Sequence, residues 1–267
     1  MPHHLLPLLF VSFLCASLCH THPVANADDL ISLFKHATGN TLQTDIEVTA
    51  DLDFSHHTLT LPLGAFSNGT CVSFSGVFQG NGHSIKGLKI NSANKAGYNM
   101  SGLFCSLKNA TVENLVIDSS CSFTGWYAGA LSVSVTGSLT VKHITSNAAV
   151  SGTERVGGFI GTVQYSGQSA MISFEDCVNN GIVTGSNQYI GGFLGYVRCE
   201  KNTSIVISNS FNNGDVTASG TGGSVGGFAG YISGSIKSLT MTISNSVNSG
   251  KVAGDWNVTG FGCSESS

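Results

Sequence analysis

The sequence predicts an all-β fold, a parallel β-helix (a solenoid of stacked coils) with a short N-terminal helical cap. Two observations lead to this prediction: a glycine motif recurs along the chain, and short β-forming runs, without helices, separate its copies. The copies lie 26 to 35 residues apart, a period typical of one supersecondary unit stacked on copies of itself. A β-propeller is the competing fold, but its blades need about 40 residues and four strands.

The motif is clearest at residues 156–161 (VGGFIG), 190–195 (IGGFLG) and 225–230 (VGGFAG), and a degraded copy lies at 258–262. We interpret the glycine before the large apolar residue as a structural turn residue, where the backbone turns or approaches another segment closely. The next residue then fills the core. The marker glycines are Gly76, Gly102, Gly129, Gly158, Gly192, Gly227 and Gly260.

A second element repeats with the motif, at residues 172–181, 205–214 and 241–250. Each copy is an apolar run that ends in Asn-Asn-Gly or Asn-Ser-Gly. The alignment places Asn179, Asn212 and Asn248 at one corner of successive coils, where their amides are expected to hydrogen-bond along the axis. It also predicts two inward stacks of apolar side chains, Ile172–Ile205–Met241 and Val178–Phe211–Val247.

The N-terminal part of the chain predicts a cap over residues 28–73. Residues 28–36 read as a short amphipathic helix with acids in its first turn. Residues 44–52 and 58–62 alternate as half-buried strands do. Residues 74–267 then form the coils, and the last coil is expected to be incomplete. Its open β edge would invite self-association.

The first 27 residues predict a secretory signal peptide, because residues 5–18 are a short apolar run followed by small-residue cleavage sites. Cleavage is expected after Cys19 or after Ala27. The mature chain is then expected to be secreted, extracellular or at the cell surface, without a membrane span. Six cysteines would remain, which permits disulfides but leaves fifteen connectivities open.

Several segments together resemble GLUG-motif repeat proteins, namely residues 48–53 (VTADLD), 62–64 (PLG), 74–90 (FSGVFQGNGHSIKGLKI) and 101–104 (SGLF). The resemblance implies a right-handed, single-stranded parallel β-helix. It also implies a secreted or surface-attached, adhesin-like protein, or a non-catalytic part of a surface peptidase. Gln79 departs from the aspartate usual in that motif.

Composition and motif content narrow the function. Charged residues are 10% of the chain, with net charge -4, so a nucleic-acid partner is not expected. The acids form no pair on adjacent coils such as a glycosidase needs, and no cofactor or metal site is expected. We therefore expect a non-enzymatic protein whose extended surface binds glycans or host and cell-surface proteins. The alternatives are a polysaccharide-active lyase or glycosidase and a structural surface-coat component.

Two further sets of residues bear on this surface. An aromatic face would favour a sugar binder, and its members would be Trp126, Tyr165, Tyr189, Tyr196 and Tyr231. Candidate N-glycosylation sequons lie at Asn68, Asn99, Asn109, Asn202 and Asn257. Their number is no more than this Asn-, Ser- and Thr-rich composition gives by chance.

Overall fold

The structure, a computed structural model, describes residues 21–264 apart from 38, 67–69, 93–98, 166–168, 200–201, 221–222 and 235–238. The apolar run of the signal peptide and Asn68 lie outside the described residues. The described chain is a parallel β-solenoid of about six turns with one short helix, which confirms the predicted fold class. Its right-handed sense stays a prediction.

The elements are short, as expected for a coil that turns every few residues. In chain order they are β1 Thr21–Val24, α1 Ala27–Lys35, β2 Thr41–Gln43, β3 Asp45–Val48, β4 Leu52–Asp53, β5 Ser73–Ser75, β6 Val77–Gln79, β7 Ser84–Lys86, β8 Lys89–Asn91, β9 Met100–Ser101, β10 Phe104–Leu107, β11 Ala110–Ile117, β12 Ser122–Gly129, β13 Ser132–Val135, β14 Leu139–Ser146, β15 Ala149–Gly157, β16 Ile160–Tyr165, β17 Ala170–Glu175, β18 Val178–Asn179, β19 Val183–Gly185, β20 Ile190–Gly191, β21 Leu194–Cys199, β22 Thr203–Ser208, β23 Phe211–Asn212, β24 Val216–Ala218, β25 Val225–Gly226, β26 Ala229–Ser233, β27 Leu239–Ser244, β28 Val247–Asn248, β29 Val252–Ala253, β30 Val258–Thr259 and β31 Gly262–Ser264.

Three parallel sheets run along the solenoid. The first has the order β1-β3-β6-β11-β14-β17-β22-β27, with β4, β7, β18, β23 and β28 beside this path. The second has the order β2-β5-β10-β13-β16-β21-β26-β31. The third has the order β29-β24-β19-β15-β20-β25-β30, with β8, β9 and β12 on its N-terminal side. Equivalent repeat positions pair in register, as Val156, Ile190, Val225 and Val258 do.

The helix α1 covers the N-terminal end of the core. Asn26 caps it by accepting a hydrogen bond from the Asp29 backbone N–H at 2.9 Å. Phe34 packs its ring 5.7 Å from Phe104 and 6.3 Å from Phe74, centroid to centroid. The predicted amphipathic helix is thus confirmed to within a residue at each end.

The strands next to the helix differ from the prediction. Residues 44–52 are split into β3 and β4, and residues 58–62 form no strand, so the strand predicted there is wrong. This segment instead borders a groove against the helix, which Leu59, Ile31 and Phe34 line, so its alternation reflects packing against a helix. The stack itself begins within residues 28–73, since β2 pairs with β5 and β3 with β6.

A disulfide joins β10 to the loop before β5, the strand one coil earlier in the same sheet. Cys71 and Cys105 are bonded with a Cα separation of 5.9 Å. The sequence could not choose this pair among its fifteen connectivities. Cys121 and Cys177 are buried thiols, and burial raises their pKa to about 11 and about 12. Thiols held protonated in this way react slowly with disulfides and oxidants.

The glycine motif forms a tight arch between the third and second sheets. A Cβ added at Gly195 would lie 2.6 Å from the backbone nitrogen of Val156, and one at Gly230 would lie even closer to Ile190. The end of one sheet and the start of the next therefore touch backbone to backbone. Between them, Phe159, Phe193 and Phe228 stack in the core with centroids 4.8 and 5.0 Å apart.

The marker glycine of the arch makes room for the asparagine ladder. Asn179 donates to the Asn212 Oδ1 at 2.8 Å, and Asn212 donates to the Asn248 Oδ1 at 2.6 Å. A Cβ at Gly158 would lie 2.8 Å from the Asn179 Cγ, and one at Gly192 would lie 2.5 Å from the Asn212 Cγ. The glycine and the asparagine, about twenty residues apart in sequence, thus share one space inside each coil.

Earlier coils fill the same space with other residue pairs. The position of Asn179 is taken by Ser146 and, one coil before, by Ile117. The position of Gly158 is taken by Ala130 in the Ser146 coil, by the register of β12 on β15. In this coil serine thus replaces the larger asparagine, and alanine, with one more methyl group, replaces the glycine. The joint change indicates that the glycine position and the asparagine position are coupled.

The ladder asparagines lie inside the coil, in the short strands β18, β23 and β28, and not at a left-handed corner. The left-handed corner lies a few residues earlier, at Asn114, His143, Asp176, Asn209 and Asn245, each with φ between 48° and 56°. Among the marker glycines up to Gly227, Gly76 alone has a positive φ, 149°; the others allow close approach.

One predicted inward stack is wrong. Ile172, Ile205 and Met241 do align and point inward. The stack Val178–Phe211–Val247 aligns too, but Phe211 is 40% exposed and Val247 is 50% exposed. Successive side chains of a strand face opposite sides, so burying the asparagine at the next position turns this stack outward.

Candidate ligand-binding face

Two outward columns of side chains meet where the third sheet turns into the second. The position just before the glycine motif carries Tyr127, Arg155 and Tyr189 in successive coils. The second sheet contributes Tyr196 and Tyr231, which are register partners with parallel rings 5.8 Å apart. We call these five residues the aromatic crease. Outward side chains of both sheets touch one another there.

The tyrosines of the crease contact one another directly. The ring of Tyr189 lies 5.0 Å from that of Tyr196 and 4.6 Å from that of Tyr231, centroid to centroid. These contacts follow from the arch, since Gly195 and Gly230 of the second sheet closely approach the backbone of Val156 and Ile190 in the third. Tyr196 is 9% exposed, so its ring packs mainly on its neighbours.

Arg155 is the cation of the crease. Its guanidinium carbon lies 4.5 Å from the ring centroid of Tyr196 and 5.0 Å from that of Tyr127, which is cation–π geometry on two sides. Its Nε–H is buried and has no hydrogen-bond partner. Among the described residues, no carboxylate forms an ion pair with it.

A β-bulge positions Tyr127 in the crease. The register of β12 on β15 shifts between Gly125 and Tyr127, which leaves Trp126 outside the regular pairing and 43% exposed. Burial raises the pKa of Tyr127, and the nearby negative charge of Glu154 raises it further. The phenol therefore stays protonated.

A groove of about 320 Å³ runs on the third sheet, directly before the crease in each strand. Its polar lining is made of hydroxyl groups, and Thr124 and Ser151 are hydrogen-bonded to each other at 2.8 Å. Glycine backbones supply the rest of the surface. We call it the hydroxyl groove, and its lining residues are Thr124, Gly125, Ser151, Gly152, Thr153, Thr184, Gly185, Ser186 and Ser219.

A second polar cluster lies on the first sheet. It contains carboxylates, as acid catalysis requires, but their pKa values are lowered. Lys86 lies 2.6 Å from Asp51 and pairs in register with Asp53. The hydrogen bond from Lys86 holds the Asp51 pKa below its usual range. Hydrogen bonds from Ser55 and Ser120 likewise lower the pKa of Asp53 and of Asp118. A general acid at neutral pH needs a raised pKa, so these carboxylates act as turn caps and ion-pair partners.

The structure brings together part of the aromatic face expected from the sequence. Tyr189, Tyr196 and Tyr231 meet in the crease, and Trp126 lies in the strand segment between groove and crease. Tyr165 is in β16, and its side chain lies outside the description. Sequence reasoning missed Tyr127 and Arg155. Their shared position, immediately before each glycine motif, is the signal that could have found them.

Four of the five sequons lie within the described residues. Asn109, Asn202 and Asn257 are exposed, and Asn99 is half-buried. Asn109 uses its side-chain oxygen to accept a hydrogen bond from the Ser138 backbone N–H at 3.1 Å. Glycosylation of these sites stays a prediction. No group of three or more potential metal ligands occurs among the described residues.

The fold defines the class of protein: a parallel β-helix repeat protein. A Bacteroides ovatus protein, provisionally described as an immunoglobulin A1 protease, has a similar structure with a TM-score of 0.56 and 17% sequence identity. The match covers 91% of this chain and 84% of that one. At this identity the likeness shows the fold alone.

One sequence relative is more specific. Halomucin of Haloquadratum walsbyi is 32% identical to this chain over an alignment of 151 residues. The alignment covers 48% of this chain. The matched part spans 2% of halomucin. No protein-family model matches the chain, so the resemblance to GLUG repeat proteins stays a prediction.

Proposed function

We propose that this chain is a secreted, non-enzymatic repeat protein whose β-helix binds glycans along the hydroxyl groove and the adjoining Trp126. The groove is the observation that supports this most directly. Hydroxyl columns repeat with the coil, about 4.8 Å apart, so the face offers the same donors and acceptors at regular steps. A polymer of sugar units presents hydroxyls in the same periodic manner.

Two features of this face suit a sugar for different reasons. Trp126 offers an exposed apolar ring face, on which the C–H face of a sugar packs. The glycines Gly125, Gly152 and Gly185 line the groove without side chains, so a sugar ring can come close to the strands there. A site of this kind binds through many weak contacts, which fits an extended partner such as a polysaccharide or a glycan on a cell-surface protein.

The test compares two exposed aromatic residues on different sheets. Trp126→Ala should weaken binding to an immobilised glycan panel by roughly tenfold, since it removes the stacking surface. Phe211→Ala is the matched control, because Phe211 is 40% exposed and lies on the first sheet. Equal affinities of the two variants, or no glycan bound by the wild type, would refute the proposed function.

The non-enzymatic part of the proposal rests on the carboxylates. Three of those on the first sheet have a lowered pKa and are held ionised. Glycoside hydrolysis needs one carboxylic acid and one carboxylate facing the same bond. Incubating the purified protein with pectin and other polysaccharides checks this directly, and release of reducing ends or unsaturated sugars would contradict it.

Of the two candidate cleavage sites of the signal peptide, the one after Cys19 is compatible with the folded N-terminus. Strand β1 pairs with β3, and Asn26 caps the helix. Cleavage after Ala27 would remove both features. N-terminal sequencing of the secreted protein distinguishes the two sites. In the described residues, no helix has the length and apolar character that a membrane crossing requires.

A further inference from the structure

We propose that the glycan is anionic and that Arg155 recognises its carboxylate or sulfate groups at the aromatic crease. This inference rests on the proposed function, because it names the class of ligand for the same face. In each coil the crease residue of the third sheet follows the groove residues by two to four positions. A polymer in the groove therefore comes within reach of Arg155.

The charge of Arg155 lacks a counterion in the described part of the chain. Its neighbours are the rings of Tyr127 and Tyr196, which stabilise a cation but do not neutralise it. Glu154, adjacent in sequence, lies near Tyr127 and forms no ion pair with Arg155. A guanidinium held between two rings is pre-oriented for the oxygens of a carboxylate or sulfate, because little side-chain entropy remains to be lost on binding.

The second arginine of the sequence lies on the same face. Arg198 is in β21, two residues after Tyr196 and exposed, with the buried Val197 between them. Alternation puts Tyr196 and Arg198 on one side of the strand, about 7 Å apart. The chain has 11 lysines and arginines in all, and two of those are arginines. Both arginines of the sequence thus lie on this face, Arg155 within the crease and Arg198 beside it.

The experiment uses pairs of polymers that differ only in charge. Polygalacturonate and its fully methyl-esterified form test carboxylate recognition, and heparin and desulfated heparin test sulfate recognition. We expect tighter binding of the charged member of at least one pair, weakening as salt is added. The preferred pair identifies the anion. In Arg155→Gln this preference should fall by roughly tenfold to hundredfold, while affinity for the neutral member stays unchanged.

Two controls separate recognition from net charge and from folding. Lys142→Gln removes a cation from the first sheet, 3.1 Å from Glu175, and should leave the preference unchanged. Arg155→Lys keeps the charge but loses the planar fork, so it should retain part of the preference. Melting curves establish that each variant is folded.

The possible failures are distinguishable. Equal, Trp126-dependent binding of charged and neutral polymers, unaffected by Arg155→Gln, would overturn the anionic inference and leave the proposed function standing. Loss of preference in Lys142→Gln to the same extent as in Arg155→Gln would also overturn it, since bulk charge would then be the cause. Absence of binding to any polymer would overturn the proposed function and this inference together.

Discussion

The coupling between the glycine arch and the asparagine ladder makes a strong prediction for Gly192→Ala. The added Cβ would lie 2.5 Å from the Asn212 Cγ, 2.6 Å from its Oδ1 and closer still to the Gly227 carbonyl oxygen. Real Cβ contacts essentially never fall below 3.0 Å, so Asn212 or the neighbouring coil must move by several tenths of an ångström. That movement strains the ladder bonds of 2.8 and 2.6 Å.

The loss in free energy of unfolding has two contributions. Overpacking costs about 1–3 kcal/mol, and a buried amide that loses its partners costs a similar amount. We therefore expect about 4 kcal/mol of destabilisation, which lowers the melting temperature by roughly 8–16 °C in a chain of this size. Gly260→Ala is the matched control, because Gly260 holds the same motif position and nothing lies within 4 Å of its added Cβ.

Thermal unfolding followed by far-UV circular dichroism and calorimetry measures both variants. Gly260→Ala should melt within about 4 °C of the wild type, since substituting a glycine without strain changes stability by less than about 1 kcal/mol. If Gly192→Ala melts as Gly260→Ala does, the coil has spare room beside Asn212. The proposed coupling would then be wrong.

Three other predictions follow from the described structure. Ser146→Asn should gain thermal stability only together with Ala130→Gly, because the new amide can then reach the unpartnered Asn179 Oδ1; additive melting shifts in the double-mutant cycle would contradict this. The Asp51 carboxylate, with its pKa lowered by Lys86, stabilises the fold above its unfolded pKa of about 4, and this contribution is lost as pH falls further. The melting difference between wild type and Asp51→Asn should therefore shrink from neutral pH to about pH 2, and a constant difference would refute the assignment. Self-association through the C-terminal coil, where β27–β31 each pair on one side and Phe261 is 55% exposed, should be weakened by Phe261→Ser in analytical ultracentrifugation; unchanged sedimentation would exclude this edge.

Much of the fold could be predicted from the sequence because each coil uses the same residue types at the same positions. The glycines before Phe159 and Phe193 recur at a fixed period, and so do the asparagines of the ladder. In-register stacking turns that period directly into spatial columns. The helical cap was readable for a local reason as well: acids and apolar residues at helical spacing follow an N-capping asparagine.

The candidate site was only partly readable. Its aromatic members could be named, but Arg155 and Tyr196 are 41 positions apart in the numbering and lie in different sheets. Their contact depends on the angle of the arch. The Cys71–Cys105 bond depends in the same way on which loops meet.

The sequence by itself determined the repeat, its period and the residues that form each column, because glycine, asparagine and apolar positions recur coil after coil. The tertiary structure decided which side the column of Phe211 faces and which columns meet. The stack of Phe211 turned outward because the buried Asn212 needed the interior for its amide bonds. The crease formed because Gly195 and Gly230 let the second sheet approach the backbone of the third closely.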